Sequence, residues 1–156
     1  MLKDLNSVFS GTTAADGTIT AQAVTATANS TNVIDLRAVG GLPALADEGI
    51  EGTDLYLNVN VTQAFNNLTS LTIALVSSAA AALTTPTTHY TKTVLLAGLT
   101  AGANVVRVQL PSDDYLRYLG VIYTVTGTAP TLGSVQAFLV GTPQRNVTYP
   151  TRITVL

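Results

Sequence analysis

Cysteine and tryptophan are absent from this 156-residue chain, histidine occurs once, and charged residues make up only 10% of it. Soluble domains carry roughly 25% charged residues. Without cysteine there is no disulfide framework and no thiol nucleophile, and one histidine cannot build a Cys/His zinc site. Seven Lys plus Arg against nine Asp plus Glu leave a net charge of −2, which gives no basic footprint for nucleic acid. Long apolar runs are missing too. The best candidate, residues 68–83 (LTSLTIALVSSAAAAL), is broken by two Thr and three Ser and falls short of the roughly 20 apolar residues a membrane helix needs. No membrane partner is expected. The opening MLKDLN has no basic stretch leading into an apolar one, so a secretory leader is not expected either. Phosphate-cradling glycine loops and internal repeats are also lacking.

What the chain does have is threonine, alanine, leucine and valine: 26, 20, 20 and 17 residues. Enough Leu, Val and Ile is present to bury a core at low charge, so disorder is excluded. Residues 54–61 (DLYLNVNV) set Leu55, Leu57, Val59 and Val61 on one face against Asp54, Tyr56, Asn58 and Asn60, the period of two of a half-buried strand. The same alternation runs through 70–76, 104–110, 117–126 and 134–140, and more weakly through 18–27, 32–37, 89–95 and 147–156. Gly, Pro, Asn and Asp clusters punctuate the intervals. Helical signals are limited to possible single turns at 79–83 and, capped by Ser112, at 112–115. The expectation is an all-β antiparallel sandwich of about eight strands. Residues 1–15 lack sustained alternation and are expected to form an extended arm, with the sandwich over 16–146 and a tail or edge strand over 147–156.

No catalytic constellation is legible. His89, in Thr88-His89-Tyr90, lacks a local nucleophile and an orienting carboxylate and reads as a surface or loop histidine. Asp47, Glu48, Glu51 and Asp54 form an acidic, glycine-containing segment whose spacing does not match a calcium loop. Asp113 and Asp114 read as turn residues. Neither an enzyme activity nor a cofactor nor a metal is expected. Six tyrosines (Tyr56, Tyr90, Tyr115, Tyr118, Tyr123 and Tyr149) leave open a carbohydrate-binding sandwich, although their positions are scattered.

The polar surface is carried by 48 Thr, Ser, Asn and Gln in place of charge. A sandwich so poor in charge has little protection against association along its edges, and interface cores are themselves depleted in charge. Assembly with other chains, itself included, is the favoured reading. The candidate contact residues are Met1, Leu2, Lys3, Leu5 and Phe9 of the arm, with Arg107, Arg117, Arg145 and Arg152 as charged anchors.

Several segments taken in order resemble a family of jelly-roll cement, or decoration, proteins of tailed-phage capsids. They are Met1-Leu2-Lys3-Asp4 with Phe9-Ser10, Asn32-Val33-Ile34-Asp35-Leu36, and the acidic glycine loop leading into Asp54-Leu55-Tyr56-Leu57-Asn58-Val59. Thr62-Gln63-Ala64-Phe65 and Leu71-Thr72-Ile73-Ala74-Leu75 follow. The series ends with Arg117-Tyr118-Leu119-Gly120-Val121-Ile122-Tyr123-Thr124-Val125 and Val135-Gln136-Ala137-Phe138-Leu139-Val140. The resemblance runs over most of residues 1–143. It implies an eight-stranded jelly roll, no enzymatic activity, homotrimers, and the major capsid protein as partner on the outer surface of the virion, the protein being made in the bacterial cytoplasm. A tail or fibre component is the nearest alternative structural role. On this reading residues 1–15 reach a neighbour, and removing them leaves the sandwich folded.

Overall fold

The computed structural model describes residues 7–13, 18–36 and 55–141. Its strands in chain order are β1 (Val8–Ser10), β2 (Thr12–Thr13), β3 (Ile19–Thr20), β4 (Gln22–Ala23), β5 (Ala28–Asn29), β6 (Ile34–Asp35), β7 (Tyr56–Gln63), β8 (Leu68–Ser78), β9 (Thr87–Leu95), β10 (Asn104–Gln109), β11 (Tyr118–Gly127) and β12 (Ser134–Val140). A 3-10 turn at Leu96–Gly98 leads from β9 towards β10. Among the described residues no helix is long and apolar enough to cross a membrane.

The long strands arise where apolar side chains alternate. In β8, Leu71, Ile73 and Leu75 are fully buried, while Thr72 and Ala74 between them are half-buried. In β11, Leu119, Val121 and Tyr123 are fully buried. Two five-stranded sheets result. One has the order β1-β12-β7-β10 with β4 also on β12; the other has β5-β11-β8-β9 with β6 also on β11; β2 and β3 form a separate pair. All the pairings are antiparallel.

The pairs are nested. Hairpin β8–β9 lies innermost in sequence, β7–β10 encloses it, β5 and β6 on β11 enclose that, and β1–β12 is outermost. A double ribbon paired this way and wrapped into two facing sheets is a jelly roll. The expected all-β jelly-roll sandwich is therefore present, with β5 and β6 as two short pieces lying along one partner strand. Between the sheets lie Phe9, Val24, Leu57, Val59, Val61, Leu71, Ile73, Leu75, Leu119, Val121, Tyr123 and Val135, all at most 1% exposed. Buried polar side chains in the described residues all have hydrogen-bond partners, as expected where an unpaired buried group costs about 1–3 kcal/mol.

Three expectations need correction. Val8–Ser10 does not await another molecule: it pairs with β12 of its own chain, Val8 opposite Phe138 and Ser10 opposite Ala137. The arm is thus part of the sandwich at least here, because Phe9, between Val8 and Ser10, finds its burial inside the fold. The run 18–27 is not one strand but the short pieces β3 and β4, since the chain crosses between sheets there: Val24 N–H donates to Gly133 O in one sheet (3.0 Å) and Ser30 N–H to Val121 O in the other (2.6 Å). Neither possible helical turn forms. Residues 79–83 make a turn closed by Leu83 N–H to Ala80 O (3.0 Å), and 112–115 is irregular. Leu83 then folds down over Gly120, where a Cβ would sit 2.6 Å from Leu83 Cδ1.

β9 and β10 are the outer strands on one flank of the sandwich. β9 is shielded by two devices. Lys92 stands opposite the buried Ile73, on the core-facing side of the strand, while itself exposed, and the β8–β9 register slips between Leu75 and Val76. A charge on the inward side and a bulge both oppose pairing with a foreign strand. Replacing Lys92 with Val is expected to leave the monomer folded and raise its aggregation rate by about an order of magnitude. Light scattering over a concentration series checks this, and an unchanged profile removes Lys92 from the argument.

Candidate functional site

The chemistry-bearing side chains meet at one end of the sandwich. β8 ends its inward row Leu71, Ile73, Leu75 with Ser77, which is also fully buried. Because β8 and β9 form a hairpin, the returning strand brings His89 beside it. The register slip leaves His89 as the extra residue between the pairs Val76↔Thr88 and Leu75↔Tyr90, and bulges characteristically re-aim a side chain. Ser77 Oγ lies 2.7 Å from His89 Nε2, and His89 Nδ1 lies 2.6 Å from Asp113 Oδ2. Asp113 comes from the β10–β11 connection, residues 111–117, which packs against this end. Tyr115 of the same connection sets its ring 4.3 Å from the imidazole and donates its hydroxyl to Pro111 O (2.5 Å). Leu116 N–H donates to Ser77 Oγ (2.9 Å).

The histidine side chain has no exposed surface, whereas the Asp113 side chain is 50% exposed. This corrects the reading of His89 as a surface residue. The hydrogen bond from His89, with help from Asp114 N–H, holds the Asp113 carboxyl below the usual carboxylate range. Its folded value is depressed, so its contribution is present at neutral pH and is lost as the pH falls through that lowered value. Partial burial pushes the Tyr115 phenol up to about 12.

Serine, histidine and aspartate in this connectivity form the pattern of an acyl-transfer triad. The surroundings are those of a structural tie. Ser77 is enclosed, so no carbonyl carbon can reach Oγ, and the neighbouring backbone N–H, that of Leu116, is spent on Ser77 itself instead of pointing at a developing oxyanion. Among the described residues no three His, Asp or Glu side chains converge as metal ligands. The cluster as it stands joins β8, β9 and the β10–β11 connection.

Of the residues singled out in the sequence, Phe9 is fully buried between the sheets and is withdrawn as an intermolecular contact. Its side chain is used up by the core. Arg107 is exposed on β10, opposite Asn58. Arg117 makes a bidentate pair with Asp35 (2.8–3.3 Å) and lies over the Tyr118 ring at 4.9 Å. That pair ties β6 to the start of β11, beside the register pairs Tyr118↔Asp35 and Leu119↔Ile34. Met1, Leu2, Lys3, Leu5, Arg145 and Arg152 lie outside the described residues, as do Asp47, Glu48, Glu51, Asp54 and the tail 147–156. Among the described tyrosines, Tyr123 is in the core and Tyr90 and Tyr115 pack against it; Tyr149 lies outside the described residues.

The relay was hidden in the sequence because Ser77, His89 and Asp113 are 12 and 24 residues apart in succession. One signal was available. A serine continuing a Leu-Ile-Leu inward row needs a polar partner, and the hairpin's returning strand is where such a partner sits.

The outer face of β11, β8 and β9 forms the other feature of note. Its rows read Ile122, Ala74, Thr91; then Thr124, Thr72, Thr93; then Thr126, Ser70, Leu95. Thr72 and Thr93 share a hydroxyl hydrogen bond of 2.8 Å, Leu95 is 66% exposed, and these nine positions carry no charge. None of the curated proteins compared with the chain matches it. A family model, Bbp16, matches residues 18–139, a span that takes in strands β3 to β11 and all of β12 but its last residue. By that match, which covers more than three-quarters of its length, the chain belongs to the Bbp16 family.

Proposed function

We propose that this protein is a phage capsid decoration protein, which binds the outer surface of the expanded head and cements neighbouring major-capsid subunits. The observation that carries the reading is a jelly roll whose outer β11-β8-β9 face carries no charge over nine paired positions, all of them Thr, Ser, Ala, Ile or Leu. Such a face suits contact with another protein surface better than recognition of a charged ligand. The ordered segments shared with jelly-roll cement proteins support it, and so does the scarcity of charge over the whole chain.

The mechanism is one of linkage and multivalency. A protein that binds only the expanded lattice stabilises that state in proportion to its occupancy. If the subunits are joined, as the trimers implied by the resemblance are, later contacts form at high effective concentration, and a modest area per subunit suffices. Arg107, exposed on β10, remains a candidate anchor.

The test is co-sedimentation with heads that lack the protein, before and after expansion, combined with its mass in solution. Saturable binding to expanded heads alone is the expected result. Binding to neither form would overturn the reading and direct the search to tail parts.

A further inference from the structure

We propose that the Ser77–His89–Asp113 relay is a proton-operated latch on the β10–β11 connection, closed while His89 is neutral and released when its imidazole takes a second proton. The direction of each hydrogen follows from the partners. Leu116 N–H donates to one lone pair of Ser77 Oγ, and with the imidazole neutral and its hydrogen on Nδ1 the Ser77 hydroxyl donates to His89 Nε2, 2.7 Å away. An ionised carboxylate only accepts, so the short contact from Nδ1 to Asp113 Oδ2 places the imidazole hydrogen on Nδ1. In this neutral tautomer every hydrogen of the relay has an acceptor.

A second proton goes to Nε2, the free nitrogen, and then faces Ser77 Oγ. The oxygen now receives hydrogens from both Nε2 and Leu116, and its own hydroxyl hydrogen loses its acceptor inside a side chain with no exposed surface. The two lone pairs can take both hydrogens, but the stranded hydroxyl hydrogen is a penalty that opening either the Nε2 contact or the Leu116 contact to water relieves, and both contacts hold residues 111–117, directly or through His89, against β8. The gain on the other side is weaker. Imidazolium attracts Asp113, but that carboxylate is half in water, where solvent screens the pair and lets it swing outward together.

The other ionisable groups around His89 do not reverse this. β8 contributes none. On β9, Tyr90 packs on the core and Lys92 is the next residue along the same core-facing row, opposite Ile73. From the connection come Asp113, its neighbour Asp114 and the ring of Tyr115, whose hydroxyl is occupied by Pro111 O. Arg117 is held by Asp35.

The experiment uses the full chain in solution. Long-range proton–nitrogen NMR of the single histidine reads its tautomer, and hydrogen exchange of the Leu116 amide, corrected for the intrinsic rate, reads the latch. We expect the Nδ1–H tautomer in the neutral imidazole and, between the neutral and the protonated form, a loss of Leu116 protection of about tenfold or more while core amides stay protected. In Ser77→Ala the Leu116 amide is expected to be unprotected at both ends of the range, with the core again serving as the folding control. A hydrogen on Nε2 at high pH overturns the proposal. So does equal Leu116 protection on both sides of the titration, or pH-dependent loss that persists in Ser77→Ala.

Discussion

Phe9→Ala is expected to destabilise the protein by about 3–5 kcal/mol, the cost of emptying a buried aromatic site. The residue lies in a three-residue strand that a sequence reading assigns to a free arm, yet its side chain has no exposed surface. Its neighbours reinforce the attachment. Ser10 and Tyr123 share a buried hydrogen bond of 2.6 Å, and Asn32 grips the same strand, its Nδ2 donating to Val8 O (3.2 Å) and Gly11 O (3.0 Å) while its N–H donates to Phe9 O (2.8 Å). Burial pushes the Tyr123 phenol well above its ordinary range, so it stays protonated and able to bond with Ser10. A truncation through residue 15 removes Phe9 and Ser10 together and is expected to cost at least as much, contrary to the idea that the arm is dispensable for folding. Urea unfolding followed by circular dichroism measures both changes. A midpoint shift worth less than about 1 kcal/mol for Phe9→Ala would place the side chain outside the core.

Gly133→Ala is the second substitution with a large expected effect, about 3 kcal/mol or more. Two penalties coincide there. The backbone has φ +137, a conformation nearly reserved for glycine, and an added Cβ would sit 2.6 Å from both Cγ and Cε1 of Phe65. An aromatic ring cannot fold away as a flexible side chain would, and Phe65 is itself buried and fastened by its N–H to Leu99 O (3.1 Å). The carbonyl of Gly133 also receives Val24 N–H, so a shift of the turn loosens the crossing segment as well. Gly141→Ala serves as the control. Its Cβ would meet nothing within 4 Å, and the expected change is within about 0.5 kcal/mol. Thermal unfolding of the two variants side by side decides the matter, and similar melting temperatures would refute the close approach.

The sequence showed its sheets where alternation ran long enough to be counted, and went silent where burial came in pieces of two or three residues. β7, β8, β10, β11 and β12 were legible because each repeats its apolar position at least three times. β1 was not, because Val8-Phe9-Ser10 is buried on all three positions and shows no period. Phe138 alternates with Val135, Ala137 and Leu139, which puts it on the outward row of β12. It is nonetheless buried, as is Val8 opposite it, because a sheet's outer side need not be wet. The relay was the least legible feature. Each of its residues is ordinary where it stands, and only the hairpin register and the return of residues 111–117 bring a serine, a histidine and an aspartate into line.

The nesting of the strand pairs also sets an order in time. Closing β8 onto β9 spans a loop of eight residues, 79–86, whereas the Ser10–Tyr123 contact joins positions 113 apart, and wider closures cost more chain entropy before contacts repay it. Assembly is thus expected to proceed from the middle of the chain outward, with Val8–Ser10 as the last piece to dock. Late contacts are absent from the transition state, so the Phe9→Ala loss should appear mainly as faster unfolding and leave the folding rate nearly unchanged. Strand β1 then governs how long the folded chain lasts, and the central hairpin how quickly it forms.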